Sequence, residues 1–147
     1  MIYYKNDNIL KTKESILIHF CNCFNVMGQG LSKVISEIYP IAQEINEKTI
    51  LGDKDKMGHY SYWIGNHYFY PSEKITIINA YTNYGQSKQE PLIDFRALTH
   101  ALFLINKNFS KGTICLLKVK EDWNKIEKII NTIVEDRPIS VYMNYQI

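Results

Sequence analysis

The feature that most constrains the fold is a regular alternation of short, continuously apolar runs with amphipathic segments of helical period. Runs of strand length lie at residues 1–4, 15–20, 74–80, 113–117 and 139–143. Apolar residues spaced three or four apart lie between them, over 31–38, 92–105 and 123–133. Continuous apolar runs are typical of strands buried on both faces. The alternation therefore predicts an α/β fold with a mixed, mostly parallel sheet and helices on both faces.

One aromatic-rich stretch departs from this alternation. Residues 60–70 read YSYWIGNHYFY, with two β-type runs on either side of Gly65 and Asn66. Gly followed by Asn is typical of a type II′ turn, so we expect an inserted antiparallel β-hairpin with His67 on its surface. Clustered Tyr and Trp are common at interfaces. The hairpin is therefore expected either to pack on the sheet or to mediate association, including homo-oligomerisation.

Composition and charge argue against several classes of protein. The chain has 147 residues, which predicts one domain over residues 1–147. Its 17 Lys and Arg against 15 Asp and Glu leave a formal charge of +2, which disfavours a nucleic-acid binder that neutralises phosphates. The 3 Cys cannot form a complete disulfide framework, and no apolar run reaches membrane-spanning length. We expect a cytoplasmic protein with no metal, cofactor, nucleic-acid or membrane partner.

The clearest functional signal lies between the second apolar run and the first helix. Residues 21–30 read CNCFNVMGQG and lead directly into that helix. Gly28 and Gly30 let the backbone approach a ligand closely, and a helix N-terminus offers unpaired N–H groups to a phosphate. The spacing matches neither the dinucleotide fingerprint, because residue 33 is Lys, nor the P-loop. A tight strand-to-helix turn without a ligand is the alternative.

The same stretch resembles a known family. Residues 16–40, ILIHFCNCFNVMGQGLSKVISEIYP, resemble the first ligand loop of the macro domain family, in its phosphatase-like and viral branch. Residues 77–85 (IINAYTNYG) and 93–98 (IDFRAL) resemble the next strand and helix of that family. Residues 5–19 resemble its opening segment. The order and spacing of these matches make the resemblance specific over most of residues 1–105.

The resemblance implies a three-layer α/β/α domain that binds ADP-ribose or a related adenine-ribose nucleotide. It implies that Asn22 contacts the distal ribose, while the backbone of residues 26–31 surrounds this ribose and the diphosphate. Asp7 or Asn8 would hydrogen-bond the adenine amino group, and Tyr142 or Tyr145 would cover the base. The implied ligand-binding residues are Asp7, Asn8, Asn22, Val26, Met27, Gly28, Gln29, Gly30, Leu31, Thr82, Asn83, Tyr84, Gly85 and Tyr145.

The chain departs from the family after the apolar run at 113–117. The family carries a second glycine-rich phosphate loop there, whereas residues 114–126 read ICLLKVKEDWNKI. Half of the diphosphate cradle is therefore missing, together with N–H donors that would stabilise a developing oxyanion. The candidate catalytic residues are Asn22, His19 and Asp122. His19 is alternatively a support for Asn22, and Asp122 a helix N-cap.

Three functions remain open at the level of sequence. The first is a sensor, reader or sequestering protein that holds the nucleotide with weak or no catalysis. The second is an enzyme that hydrolyses ADP-ribose 1″-phosphate or an ADP-ribosyl bond. The third is a protein-interaction module with a vestigial cleft. The viral character of the first loop is consistent with a phage or virus source, and then with the host cytoplasm as the location.

Overall fold

The computed structural model describes residues 1–85 and 93–146, and over these ranges it contains a six-stranded sheet between two helical layers. The strands are β1 (Ile2–Asn8), β2 (Ile16–Asn22), β3 (Tyr60–Asn66), β4 (Lys74–Asn83), β5 (Ile114–Leu117) and β6 (Ile139–Asn144). The helices are α1 (Gly30–Ile38), α2 (Pro40–Glu47), α3 (Phe95–Asn108) and α4 (Trp123–Ile133). None of these helices is long and apolar enough to cross a membrane.

The sheet has the order β1-β6-β5-β2-β4-β3 and is buried on both faces. Helices α3 and α4 close a core around Ile18 and Ile78, whereas α1 and α2 close a second core around Leu17 and Ile77. Neighbouring residues of one strand enter opposite cores because side chains alternate across a strand. This is why β2 and β4 are continuously apolar. The predicted α/β/α sandwich is confirmed, and β3 is its antiparallel edge strand in the described ranges.

The aromatic stretch supplies one strand of a hairpin with β4, rather than both strands of the predicted hairpin. β3 runs without interruption through Gly65 and Asn66 and pairs antiparallel with β4, with Asn66 opposite Lys74. The chain reverses instead over residues 67–73, which connect the two strands. The predicted turn at Gly65 and Asn66 is therefore wrong, because cross-strand pairing with β4 extends the first strand through the local turn signal.

The turn over residues 67–73 is organised by His67, which is 3% exposed rather than on the surface. Its Nδ1 accepts hydrogen bonds from the backbone N–H groups of Phe69 at 3.0 Å and Tyr70 at 3.3 Å. Its Nε2 donates to the carbonyl oxygen of Thr12 at 3.1 Å. Burial lowers the pKa of His67. One buried imidazole thus satisfies three backbone groups, a role that Asn or Asp side chains usually take in turns.

Helix α2 is an element that the sequence pattern does not predict. α1 ends at Ile38, as Tyr39 and Pro40 predict, but Pro40 then begins α2. Proline suits a first helical turn because its missing N–H has no partner there. The additional helix places the buried Asn46 against β4, where its Oδ1 accepts a hydrogen bond from the Tyr81 hydroxyl at 2.8 Å.

Candidate functional site

The candidate site lies where the parallel strands end, which we call the carboxyl edge of the sheet. β2 and β4 end at Asn22 and Asn83, which are register partners. β1 and β6 end at Asn8 and Asn144, which are also register partners. Ligands bind at this edge in open parallel sheets. The fold therefore brings residues from distant parts of the sequence, predicted to bind one nucleotide, to a common edge.

The β2–α1 loop (residues 23–29) is shaped by the side chain of Asn22. Its Nδ2 donates a hydrogen bond to the carbonyl oxygen of Val26 at 3.0 Å, and its Oδ1 accepts one from the N–H of Phe24 at 2.8 Å. Met27 is 5% exposed and anchors the loop in the core beneath α1. Asn22 therefore orders the loop through hydrogen bonds within the chain itself.

The N-terminus of α1 is open towards solvent. Gln29 is the N-cap residue, yet its side chain makes no capping hydrogen bond. Gly30 has a φ of +55°, and residues 28–30 are exposed. A side chain at Gly30 would be strained, because the left-handed region is unfavourable for residues with a Cβ. Uncapped N–H groups and the positive end of the helix dipole thus face outward, which suits an anion.

The last described residues pass beside this helix N-terminus. A Cβ added at Gly30 would lie 3.8 Å from the hydroxyl of Tyr145, whose side chain is 39% exposed. Asn8 fixes this segment, because its Oδ1 accepts a hydrogen bond from the N–H of Gln146 at 2.9 Å and its Nδ2 donates to the carbonyl oxygen of Gln146. Tyr145 is thereby held at the edge where the resemblance places adenine.

The other residues implied for the adenine end differ in exposure. Asp7 is exposed next to Asn8, whose amide group is already bonded to backbone. Tyr142 is 4% exposed, and its hydroxyl pairs with the hydroxyl of Thr12 at 2.9 Å. Tyr142 is thus a core residue, and Tyr145 is the tyrosine available to a base.

The connection from β5 to α4 replaces the missing glycine loop with two engaged carboxylates. Glu121 Oε2 accepts a hydrogen bond from the N–H of Ile93 at 3.0 Å, and burial raises the pKa of Glu121. Asp122 is the N-cap of α4, with Oδ1 accepting from the N–H of Lys125 at 3.3 Å. The N-cap interpretation of Asp122 is confirmed. Sequence reasoning missed Glu121 because its partner is more than twenty residues away.

His19 lies beneath the site and links the sheet to α1. Its Nδ1 is 2.8 Å from the Ser32 hydroxyl, and its Nε2 is 2.6 Å from Asn79 Oδ1. Asn79 Nδ2 donates to Ala42 and Ser61, so Oδ1 is the acceptor and His19 Nε2 carries the proton. Burial lowers the pKa of His19 to about 4. The ring is a neutral support for α1 through Ser32, rather than for Asn22, the role expected from the sequence.

The distal end of the site borders an open cavity. Thr82 is fully buried and accepts a backbone hydrogen bond from Asp94 at 2.8 Å, which joins the end of β4 to the start of α3. Tyr84 donates from its hydroxyl to the carbonyl oxygen of Gly52 at 3.0 Å. Gly85 is exposed, and a Cβ added there would lie more than 4 Å from the described residues other than its chain neighbours. The chain between Gly85 and Ile93 lies outside the described residues.

This cavity has a volume of about 500 Å³. Its lining residues are Lys54, Met57, Tyr84, Asp94, Arg96, Ala97 and His100. Sequence reasoning assigned Tyr84 to the site, whereas Asp94 and Arg96 entered only as part of the family-like segment 93–98 and were not expected to line it. In the described ranges no group of three or more His, Cys, Asp or Glu side chains is arranged to hold a metal ion.

Comparisons with known proteins define the class of this fold. The macrodomain of Thermus aquaticus DarG superposes with a TM-score of 0.74 at 15% identity, covering 98% of this chain and 99% of that one. Thermosipho africanus DarTG in complex with ADP-ribose superposes with a TM-score of 0.75 at 12% identity, covering 97% of this chain and 41% of that one. The chain therefore has the macrodomain fold, as the sequence resemblance predicted.

The sequence itself is similar to a phage protein. An uncharacterized 17.5 kDa protein from the tk-vs intergenic region of Enterobacteria phage T4 is 28% identical over 141 residues. The match covers 88% of this chain and 87% of the phage protein. No protein-family model matches the chain.

Proposed function

We propose that the protein binds ADP-ribose or a related adenine-ribose nucleotide at the carboxyl edge of the sheet. The observation that carries the proposal is the open N-terminus of α1, with Gln29 uncapped and Gly30 in the left-handed region. This terminus is a ready site for the diphosphate. The fold shared with an ADP-ribose-bound Thermosipho protein supports the choice of nucleotide.

The remaining parts of the nucleotide take the two ends of the edge. The distal ribose lies against Asn22 and Asn83, whose amide groups can donate to and accept from ribose hydroxyls. The adenine lies against Tyr145, beside the exposed carboxylate of Asp7. A site made of backbone N–H groups, amides and an aromatic ring needs no excess of basic residues, which agrees with the net charge of +2.

Binding without rapid turnover is the role that we favour. His19 is buried and its pKa is lowered to about 4, so it is poorly suited to proton transfer near neutral pH. Asp122 is engaged as an N-cap, and the glycine donors of the second loop are absent from the sequence. These features support a sensor, reader or sequestering protein.

A pair of isosteric charge changes tests where the nucleotide binds. Gln29→Glu adds one negative charge at the N-terminus of α1, where a carboxylate stabilises the helix but repels a diphosphate. We expect it to weaken ADP-ribose binding by about 1–2 kcal/mol, roughly 5- to 30-fold, in calorimetric titration. Asn66→Asp adds the same charge at the opposite edge, beside Lys74, and should bind as the wild type does.

Two results would contradict the proposal. Nucleotide binding is rejected if calorimetric titration with ADP-ribose, ADP or AMP gives no binding heat and none of the three competes with another for the protein. Equal weakening by Gln29→Glu and Asn66→Asp would reject the assigned position. The hydrolase alternative is tested separately by phosphate release from ADP-ribose 1″-phosphate at high enzyme concentration. Turnover that disappears in Asn22→Ala would establish that alternative.

A further inference from the structure

A lysine is buried behind the β2–α1 loop. Lys56 is 8% exposed, although lysine is rarely buried without a charged partner. Its Nζ donates to Asn25 Oδ1 at 2.7 Å and to the Thr49 hydroxyl at 2.9 Å, and it lies 5.3 Å from the centre of the Tyr81 ring. Burial lowers its pKa. Burying a cation among neutral oxygens carries a desolvation cost in free energy. The hydrogen bonds that Lys56 makes to Asn25 and Thr49 must offset this cost.

The first partner, Asn25, has an unusual backbone. Its φ is +60°, and it is the non-glycine residue with positive φ in the described ranges. Left-handed backbone is unfavourable by about 1–2 kcal/mol for most L-residues, though Asn tolerates it better than most. The side chain is fully engaged, because its Nδ2 donates to the carbonyl oxygen of Thr49 at 3.0 Å while its Oδ1 accepts from both Thr49 and Lys56. These contacts hold the conformation.

Two further hydrogen bonds join the loop to α2 and to the segment that contains Thr49 and Lys56. The N–H of Gly52 donates to the carbonyl oxygen of Cys23 at 2.7 Å. The carbonyl oxygen of Asn25 accepts a hydrogen bond from Gln43 Nε2 at 3.1 Å. The β2–α1 loop is thus hydrogen-bonded at Cys23 and Asn25 to residues of α2 and of the segment that follows it.

We infer that Lys56 is a positioning residue for the nucleotide site, whose ammonium group clamps Asn25 in its left-handed conformation. The clamp holds the loop so that the exposed backbone of residues 28–30 is preorganised for the diphosphate. Lys56 touches no ligand in this arrangement and acts through Asn25. The inference rests on the proposed nucleotide binding for its effect on affinity, but its effect on loop order is independent of any ligand.

The first experiment compares Lys56→Met with Lys48→Met in the full chain. Lys48 is exposed at the end of α2, so its replacement removes the same charge without touching the loop. Hydrogen exchange of the ligand-free protein should accelerate over residues 23–29 in Lys56→Met, while α4 exchanges as in the wild type. Lys48→Met should leave both regions unchanged. Uniform acceleration across loop and α4 would show a merely structural role and overturn the inference.

Calorimetric titration with ADP-ribose then measures the consequence for binding. We expect Lys56→Met to weaken binding about tenfold, as for a loop competent in about a tenth of molecules. Lys48→Met should bind as the wild type does. Unchanged affinity in Lys56→Met would overturn the inference. If the wild type binds no nucleotide, the proposed function fails, while loop exchange still decides the role of Lys56.

A double-mutant cycle tests whether Lys56 acts through Asn25. If it does, Asn25→Ala should also accelerate loop exchange, and the double variant should differ little from the more affected single variant. Additive effects would overturn the clamp. Should Lys56→Met not fold, Thr49→Val removes a hydroxyl shared by both residues with little change in volume. It should reproduce the local acceleration, and unaltered exchange in that variant would overturn the inference.

Discussion

Mild acid should destabilise the protein through His19, which links β2, β4 and α1 in its neutral form. Burial lowers the pKa of His19 to about 4 in the folded chain, whereas an unfolded histidine titrates near about 6.5. Between these values the unfolded chain binds more protons, so the free energy of unfolding falls as the pH falls. The contribution is complete above about pH 6.5. We expect a loss of about 2 kcal/mol by pH 5 and about 3 kcal/mol by pH 4.

Urea unfolding at a series of pH values from 7 to 4.5 measures this contribution. The comparison is between the wild type and His19→Gln, because the difference between their pH dependences removes the other titrating groups. His19→Gln should be less stable at pH 7, since it disturbs the contacts to Asn79 and Ser32. Between pH 7 and pH 5, its free energy of unfolding should nevertheless fall by about 2 kcal/mol less than that of the wild type. His59→Gln, at an exposed position outside these contacts, is the matched control for replacing a histidine.

Two observations would refute this reasoning. Parallel pH dependences for the wild type and His19→Gln would show that His19 does not carry the acid sensitivity. A ring titration near pH 6.5, seen by NMR in the folded protein, would show that the imidazole is not held neutral by burial. Burial also lowers the pKa of His67, so its contribution is separated by unfolding His67→Gln in urea over the same pH series.

Three further changes test the site. Asp122→Ala should lower the free energy of unfolding in urea by about 1 kcal/mol, because it removes the N-cap of α4, whereas Asp122→Asn should keep the cap. If Asp122→Asn keeps its stability but loses a measured turnover, Asp122 is a catalytic carboxylate instead. Gly30→Ala should cost about 1–2 kcal/mol because its φ is +55°. Gly85→Ala, whose added Cβ would meet no described residue within 4 Å, should stay within about 0.5 kcal/mol. Tyr145→Ala should weaken binding of adenine nucleotides by about 1–3 kcal/mol through lost stacking, but not of ribose 5-phosphate; equal effects on both ligands would reject the base contact.

Much of the fold follows from local patterns, and its exceptions have identifiable causes. The continuous apolar runs of β2 and β4 predict strands because both faces of the sheet are covered. The Gly65–Asn66 signal predicts the wrong turn, because pairing with β4 outweighs it and a buried histidine organises the actual turn. Helix α2 escaped prediction because Pro40 is equally typical of a helix end and of a helix beginning.

The candidate site likewise has one part that the sequence predicts and another that it does not. Its first loop is contiguous in sequence, so Asn22, Gly28 and Gly30 can be singled out through the family resemblance of residues 16–40. The α/β class is likewise visible in residue periodicity, because burial on both faces makes β2, β4 and β5 continuously apolar. These properties depend on neighbours along the chain.

Other properties depend on which chain segments meet, and only the tertiary structure decides them. Tyr145 lies beside Gly30 because β6 ends near the N-terminus of α1. Glu121, in the connection from β5 to α4, accepts a hydrogen bond from the distant Ile93. Lys56 looks like an ordinary surface lysine in sequence, yet folding buries it against Asn25. Burial and long-range hydrogen bonds arise from packing between distant segments, which no local pattern records.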